Sequence, residues 1–398
     1  MKTIMILGAS ILQLPAINKA KELGCKVVVV DMNPNAIGFE EDGIIKEVVS
    51  TLDCEGVLNI AKKYNIDGIL TIASDKPVKT VAYVGEKLGL NTVSSQTALK
   101  ATNKAIMRDC LKDANVPIPQ YYKVNNIEQY EKAIHNFKTN CIVKPADNSG
   151  SRGIYLINNI NDEKEVFEAF NYSMTNSNNG YILVEEYMNG TEVSVECICI
   201  NGVCNVIQIT DKLTTGAPFF VEMGHNEPSV LEDELQERIK KIAIDAVNAV
   251  GISDGAAHVE IKNTTEGPKI VELGARLGGD NITTHLVPLS TGVDMVECCI
   301  KIALNEKPDI IKKINKGSAI RYFKSQKGMI KKIYGIENAE KEAGVKQISI
   351  VHKSGEYVDD IHSSTDRIGF VIAQGDTPEH AIKCCENAIK KITIEIDN

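Results

Sequence analysis

Two short segments, HVEI at 258–261 and IVEL at 270–273, alternate as strands do and lie close enough in the chain to form one hairpin. Glu260 and Glu272 then fall close to opposite each other, within a residue of register. Carboxylates that share a face across a strand pair repel, and burying either one unpaired costs far more. A divalent cation between them removes that penalty. Hard oxygen ligands with bridging phosphates suit Mg²⁺, or Mn²⁺ in its place. Arg276 comes at the end of the second strand, and a guanidinium can hold a carboxylate or phosphate through two parallel hydrogen bonds. Gly278 and Gly279 beside it let a substrate come close to the backbone. The plainer reading of these residues is a charged hairpin edge with an exposed arginine.

Upstream, VKPADNSGSRGI at 143–154 ends an apolar strand on Lys144 and returns through a small loop. Backbone N–H groups at Gly150 and Gly153, with Arg152, can cover a polyphosphate, and Lys144 adds a point charge. The loop is not a Walker A motif, which links strand to helix and ends in Gly-Lys-Ser/Thr. By itself it reads as well as a solvated loop. LVEEYMNGTEVSVE at 183–196 puts Glu185 and Glu186 at one strand end and Glu192 at the start of the next. Such carboxylates can accept from an adenine amino group and from ribose hydroxyls; alone they read as surface charge at a turn.

The opening GASILQLP invites a dinucleotide reading, because Gly8 follows a strand and Asp31 ends the next. That fingerprint needs glycine where Ser10 and Gln13 stand, and their side chains would crowd a pyrophosphate. The loop is expected to bind substrate or to be purely structural.

The elements that hold these groups follow from periodicity. Over the first ~95 residues, strands KTIMILG, KVVVVDM and DGILTIA alternate with helices near 14–23, 55–64 and 78–88, which implies a parallel, Rossmann-like half domain. A helix carrying Asn103 and Lys104 is expected over 97–114, and a second over 162–170 followed by the polar loop NYSMTNSNNG. Asn201-Gly202 signals a tight hairpin. A loop is expected over 211–229, then a long helix over 231–250. From 316 onward, short strands and a closing helix over 378–392 suggest a small α+β cap.

Composition sets outer bounds. The chain has 398 residues, enough for roughly two to three domains, and its formal charge of −9 argues against a nucleic-acid partner. No apolar run approaches the roughly 20 residues that span a bilayer, and the apolar start before Gly8 is shorter than the ~7–15 residues of a signal segment. Membrane contact is therefore not expected. Eleven cysteines without a zinc-type spacing fit reduced thiols in the cytoplasm, with Cys197 and Cys199 packing in a strand.

In this order the segments resemble the ATP-grasp superfamily over essentially the whole chain, with an opening like its Rossmann-like preceding domain (GASILQLPAINKAKELGCKVVVVDMNP) and a cap like that of biotin carboxylase and its relatives. The resemblance implies an α/β and α+β chain: a Rossmann-like preATP-grasp domain over 1–95, an ATP-grasp domain over 96–310 with its small lobe at about 115–185, and a C-terminal cap over 311–398. It implies that Lys104 and Lys144 meet the triphosphate of ATP and that Asn148, Ser149, Gly150, Ser151, Arg152 and Gly153 form the lid over it. Glu185 would meet the adenine, Glu186, Tyr187 and Met188 the hinge, and Glu192 the ribose. Glu260 and Glu272 would be the Mg²⁺ carboxylates and Arg276 would orient the substrate acid. One position departs: the superfamily usually has an asparagine ligand two residues after the second metal glutamate, and here Gly274 stands there. The run GGD at 278–280 and the loop DKLTTGAPFFVEMGHNEPS look most like the amino-acid ligase branch, which points to Lys212, His225, Gly278 and Gly279 on the substrate side.

The expected reaction is phosphorylation of a small carboxylate by MgATP, with Lys104, Lys144 and Arg276 stabilising charge, and displacement of the phosphate by an amine. A phosphoribosylglycinamide synthetase-like ligase and a bicarbonate-phosphorylating, biotin-carboxylase-like enzyme share this architecture. Rivals of other kinds are an NAD-dependent oxidoreductase and a nucleotide sensor without turnover. Related enzymes are often dimers, so a homodimer is expected.

Overall fold

In the computed structural model, which describes residues 1–148, 150, 152–324 and 326–397, the chain opens with a four-stranded parallel sheet. Its strands, in spatial order, are Ile45–Val48, Lys26–Asp31, Thr3–Leu7 and Gly68–Leu70. The central pair carries β-branched and apolar side chains on both faces, as a sheet covered by helices on both sides requires. Gly8 turns the chain after the first strand with φ 101°, and Gln13 folds back over it. The Gln13 amide accepts from Ser10 N (3.2 Å) and Ser10 Oγ (2.7 Å) and donates to the Ile72 carbonyl at 2.8 Å. A side chain so placed fills the space that a dinucleotide pyrophosphate would need.

A second sheet is antiparallel, with strands Tyr121–Val124, Ile182–Glu186, Cys141–Pro145 and Tyr155–Ile157 in that order. The third has eight strands and is antiparallel throughout. From one edge it runs Gly267–Gly274, Gly255–Thr264, Thr191–Ile200, Val203–Thr214, Glu222–Glu227, Gly317–Tyr322, Gly369–Gly375 and Val345–Ile350. A three-stranded sheet of Tyr357–Val358, Gly328–Tyr334 and Thr393–Asp397 lies beyond it.

Alternation divides the large sheet between core and cleft. Val193, Val195, Cys197 and Cys199 point into an apolar cluster under the helix Asp233–Val250, together with Val259, Ile261, Ile270 and Leu273. Both cysteines are packing residues there, and all eleven cysteines are free thiols. Ser194, Glu196, His258 and Glu260 share the opposite face, which has period 2 with the core positions.

Several boundaries differ from the expected ones. The helix expected over 97–114 is two helices, Ser95–Thr102 and Lys104–Asp113, because Asn103 leaves helical geometry (φ −129°, ψ 106°) to cap the second with its side chain. The helix after Asp162 continues to Thr175, so half of the expected loop is helical. The expected loop over 211–229 is mostly strand: Val203–Thr214 and Glu222–Glu227 pair with each other, leaving only a short connection. The Asn201-Gly202 turn is as expected, with φ 50° and 81° between paired strands. Among the described residues, no helix is long and apolar enough to cross a membrane.

Candidate functional site

A cleft of about 510 Å³ lies between the small antiparallel sheet, the cleft face of the large sheet and the end of the parallel sheet. Lys104, Lys144, Asn148, Gly150, Arg152, Glu185, Glu186, Tyr187, Met188, Glu192, Lys212, Glu260, Glu272, Arg276 and Gly279 all line it. Three other candidates do not. His225 is fully buried behind the wall, Gly278 packs against His258 and Glu196, and Gly153 packs on Pro145 and Asn176. Ser149 and Ser151 lie outside the described residues.

The strand register puts Glu260 directly opposite Glu272, with a bulge just after Glu260. Paired positions in an antiparallel ladder share a face, so the two carboxylates stand side by side. Their repulsion is offset by two lysines from other elements and by a histidine on the strand of Glu260. Lys104 Nζ is 2.9 Å from Glu272, Lys212 Nζ is 3.2 Å from Glu260, and His258 Nε2 is 3.3 Å from Glu260. Burial works against the charge of Lys104, but Glu272, with Asp75 and Glu260 further off, outweighs it and raises its pKa. Lys212 is likewise buried, yet Glu192 (2.8 Å), Glu260 and Glu222 (3.0 Å) hold it well above the usual lysine value. His258 is disfavoured as a cation by burial; Glu196, 2.7 Å from Nδ1, and Glu260 reverse that and push it up to about 9. Gly274 pairs with His258 and supplies no donor.

Lys104 owes its place to the helix break at Asn103. Its backbone N–H donates to Ala146 O at 2.7 Å, and its Nζ donates to Asn148 O at 2.9 Å. The first helical residue is thereby fixed to the loop that follows Lys144.

Glu185 is not free to face a ligand alone. Arg108 clasps it through Nε (2.7 Å) and one terminal nitrogen (3.1 Å), and Lys144 Nζ lies 2.7 Å away. Burial opposes its charge, but the two cations hold its pKa down to about 2. Lys144 moves the other way from a normal ion-pair partner. Burial, with repulsion from Arg108 and Lys104, outweighs Glu185 and lowers its pKa. A group with that balance gains most from an added anion. Glu186 accepts from Lys269 and from Gln120 N, which ties the strand end to the neighbouring segments.

At the far end, Arg276 holds Asp75 from the end of the parallel sheet, through Nε (2.8 Å) and a terminal nitrogen (3.2 Å). Asp280 follows the two glycines with φ 50° and is clasped by Arg367 at 2.7 and 2.8 Å. Arg367 in turn stacks on Tyr322, 3.8 Å from the ring centre. Glu222, His225 and Asp280 bring ligand atoms within 4.8 Å of one another, with Lys212 on Glu222 and Arg367 on Asp280.

Sequence reasoning passed over Arg108, Asp75, His258, Glu196, Asp280 and Arg367. A usable signal existed for His258, two residues before Glu260 and so on its face of the strand. Arg108 falls among Ala105, Met107 and Leu111 on the buried side of its helix. Asp75 and Arg367 are brought in from distant segments and carried no local mark.

Residues 137–284 match the ATP-grasp domain, and residues 321–397 match the L-amino acid ligase C-terminal domain 2. The L-arginine-specific L-amino acid ligase of Bacillus subtilis is 24% identical over 82% of this chain and 80% of its own length. The fold superposes on an L-amino acid ligase from Bacillus licheniformis with a TM-score of 0.85, at 21% identity over 100% of this chain and 99% of that one. A phosphoribosylglycinamide synthetase from Anaerococcus prevotii gives 0.80, at 24% identity over 100% of both. The chain thus carries an ATP-grasp domain that contains the paired glutamates, with an L-amino acid ligase C-terminal domain behind it.

Proposed function

We propose that the protein is an ATP-dependent carboxylate–amine ligase acting on small molecules in the cytoplasm. The observation that carries the reading is the pairing of Glu260 with Glu272 on one face of the cleft, within reach of Lys104. Two adjacent hard carboxylates beside buried lysines suit a divalent cation bound to a triphosphate. Glu260 and Glu272 would hold Mg²⁺, which would supply charge neutralisation at the triphosphate. Lys104 and Lys144 would face the same phosphates, with Asn148, Gly150 and Arg152 over them. Glu186, Tyr187 and Met188 receive the base and Glu192 the ribose. Glu185 acts on the base side through Lys144, whose position it fixes.

A substrate carboxylate oxygen attacks the γ-phosphorus, the bond to the β–γ bridging oxygen breaks, and ADP leaves. The acyl phosphate then meets an amine: nitrogen bonds to the acyl carbon, the carbon–oxygen bond to phosphate breaks, and the amine's proton passes to the departing phosphate or to water. Positioning and charge stabilisation do most of this chemistry. Arg276 keeps N–H groups beyond those given to Asp75 and Leu277, because a guanidinium has five. Those hydrogens are what it offers the substrate acid. Lys212, His225, Gly278 and Gly279 form and back the substrate end.

ADP release measured against amino acids and small acids, singly and in pairs, tests the reading. Dependence on an acid–amine pair supports ligation. Stimulation by bicarbonate alone would replace it with the carboxylase reading, and tight NAD(H) binding without ATP binding would remove both.

A further inference from the structure

Behind the paired glutamates, a second cavity of about 400 Å³ opens from the cleft. The two share Asp75, Lys104, Asn148, His258, Glu272 and Arg276, so Arg276 borders both. Gly274 lies on the wall of the second cavity, where a Cβ would stand 3.0 Å from Asp75 Oδ1 and 3.4 Å from Arg276 Nε.

The walls of this cavity are unevenly charged. Asp75 and Glu272 already have partners in Arg276 and Lys104. That leaves Lys76 and Lys79, which follow Asp75 in the chain and face the cavity with no ion pair among the described residues. Asp147, the other acid on the wall, accepts from Asn178 N at 3.0 Å. Leu52, Ala101, Met107 and Leu273 add apolar surface among hydroxyl and amide side chains. A space that offers the Arg276 guanidinium, apolar side chains and two unmatched ammonium groups suits a short chain that carries two anions.

We infer that this cavity beside Arg276 takes the distal end of the substrate acid, and that this end carries a second anionic group held by Lys76 and Lys79. The inference rests on the ligase reading and narrows it to acids such as dicarboxylic or phosphorylated amino acids. Two partly solvated charge contacts together favour such an acid by about tenfold over its neutral counterpart.

The test uses the full chain with MgATP and hydroxylamine as a common amine, which traps any acyl phosphate as a hydroxamate. Aspartate, glutamate and phosphoserine are compared with asparagine, glutamine and serine. The expected result is about tenfold higher kcat/KM for the anionic member of each pair, with phosphoserine against aspartate deciding between phosphate and carboxylate. The double variant Lys76→Glu, Lys79→Glu should reverse the order and favour lysine or arginine as the acid. Equal kcat/KM within each pair, or an order unchanged in the double variant, overturns the inference and leaves the ligase reading in place. No hydroxamate and no ADP release with any acid overturns both.

Discussion

Arg276 and Asp75, 201 residues apart in the chain, are joined by two hydrogen bonds of 2.8 and 3.2 Å, and both line the cleft and its side cavity. The pair aims a buried guanidinium, and Gly274 leaves room for it. Gly274→Asn should push the pair apart and lower kcat/KM for the acid by roughly tenfold or more, since small misplacements at a reacting centre cost that much. Steady-state kinetics with acid as the varied substrate check this. A rise in activity would mean instead that the new amide had joined the metal site.

Arg108 and Glu185 form a buried, doubly bonded pair, with Lys144 on the other side of the carboxylate. Arg108→Met leaves a buried charge half compensated, which should cost about 3–5 kcal/mol of stability by urea unfolding. The double variant Arg108→Met, Glu185→Gln should recover part of that loss. If the single variant is as stable as the wild type, the pair is not buried as described.

Glu185 also gives a pH dependence. Its pKa in the folded chain, about 2, lies below the ordinary 4.5, so the unfolded chain binds more protons between those values. Stability from this group is therefore full above about pH 4.5 and is lost as pH falls toward 2. Acid unfolding of Glu185→Gln should show a shallower slope in that window than the wild type.

Glu260→Gln and Glu272→Gln should each lower ADP release by on the order of 100-fold at fixed Mg²⁺. Part of the loss should be recovered at higher Mg²⁺, because one carboxylate of the pair remains. A loss that Mg²⁺ titration leaves untouched would point to a role for these residues other than holding the cation.

Local pattern made much of this architecture legible. Period-2 alternation marked the strands around Glu260 and Glu272, and Asn201-Gly202 marked its hairpin, because both signals are carried by neighbours in sequence. The helix break at Asn103 was harder to read: a capping asparagine inside a helical pattern looks like any polar surface residue until Ala146 is seen to accept the Lys104 N–H. The strand Glu222–Glu227 was hidden because its side chains, including His225 and Glu227, are polar yet fully buried, so it lacks the apolar signature of a central strand. The partners of the expected site residues were hidden for another reason. Asp75, Arg108 and Arg367 meet Arg276, Glu185 and Asp280 only through tertiary packing, and no local spacing encodes such a meeting.

One backbone hydrogen-bond ladder runs from the hairpin bearing Glu260 and Glu272 through Glu222–Glu227 into three strands drawn from beyond residue 316. Cutting the chain before residue 317 would strip Glu222–Glu227 of its neighbour, exposing a row of unsatisfied amides and carbonyls as a template for self-association. It would also take away the arginine that neutralises Asp280. The tail is thus a wall of the catalytic half rather than a detachable appendage, and a shortened protein should aggregate before it can be assayed.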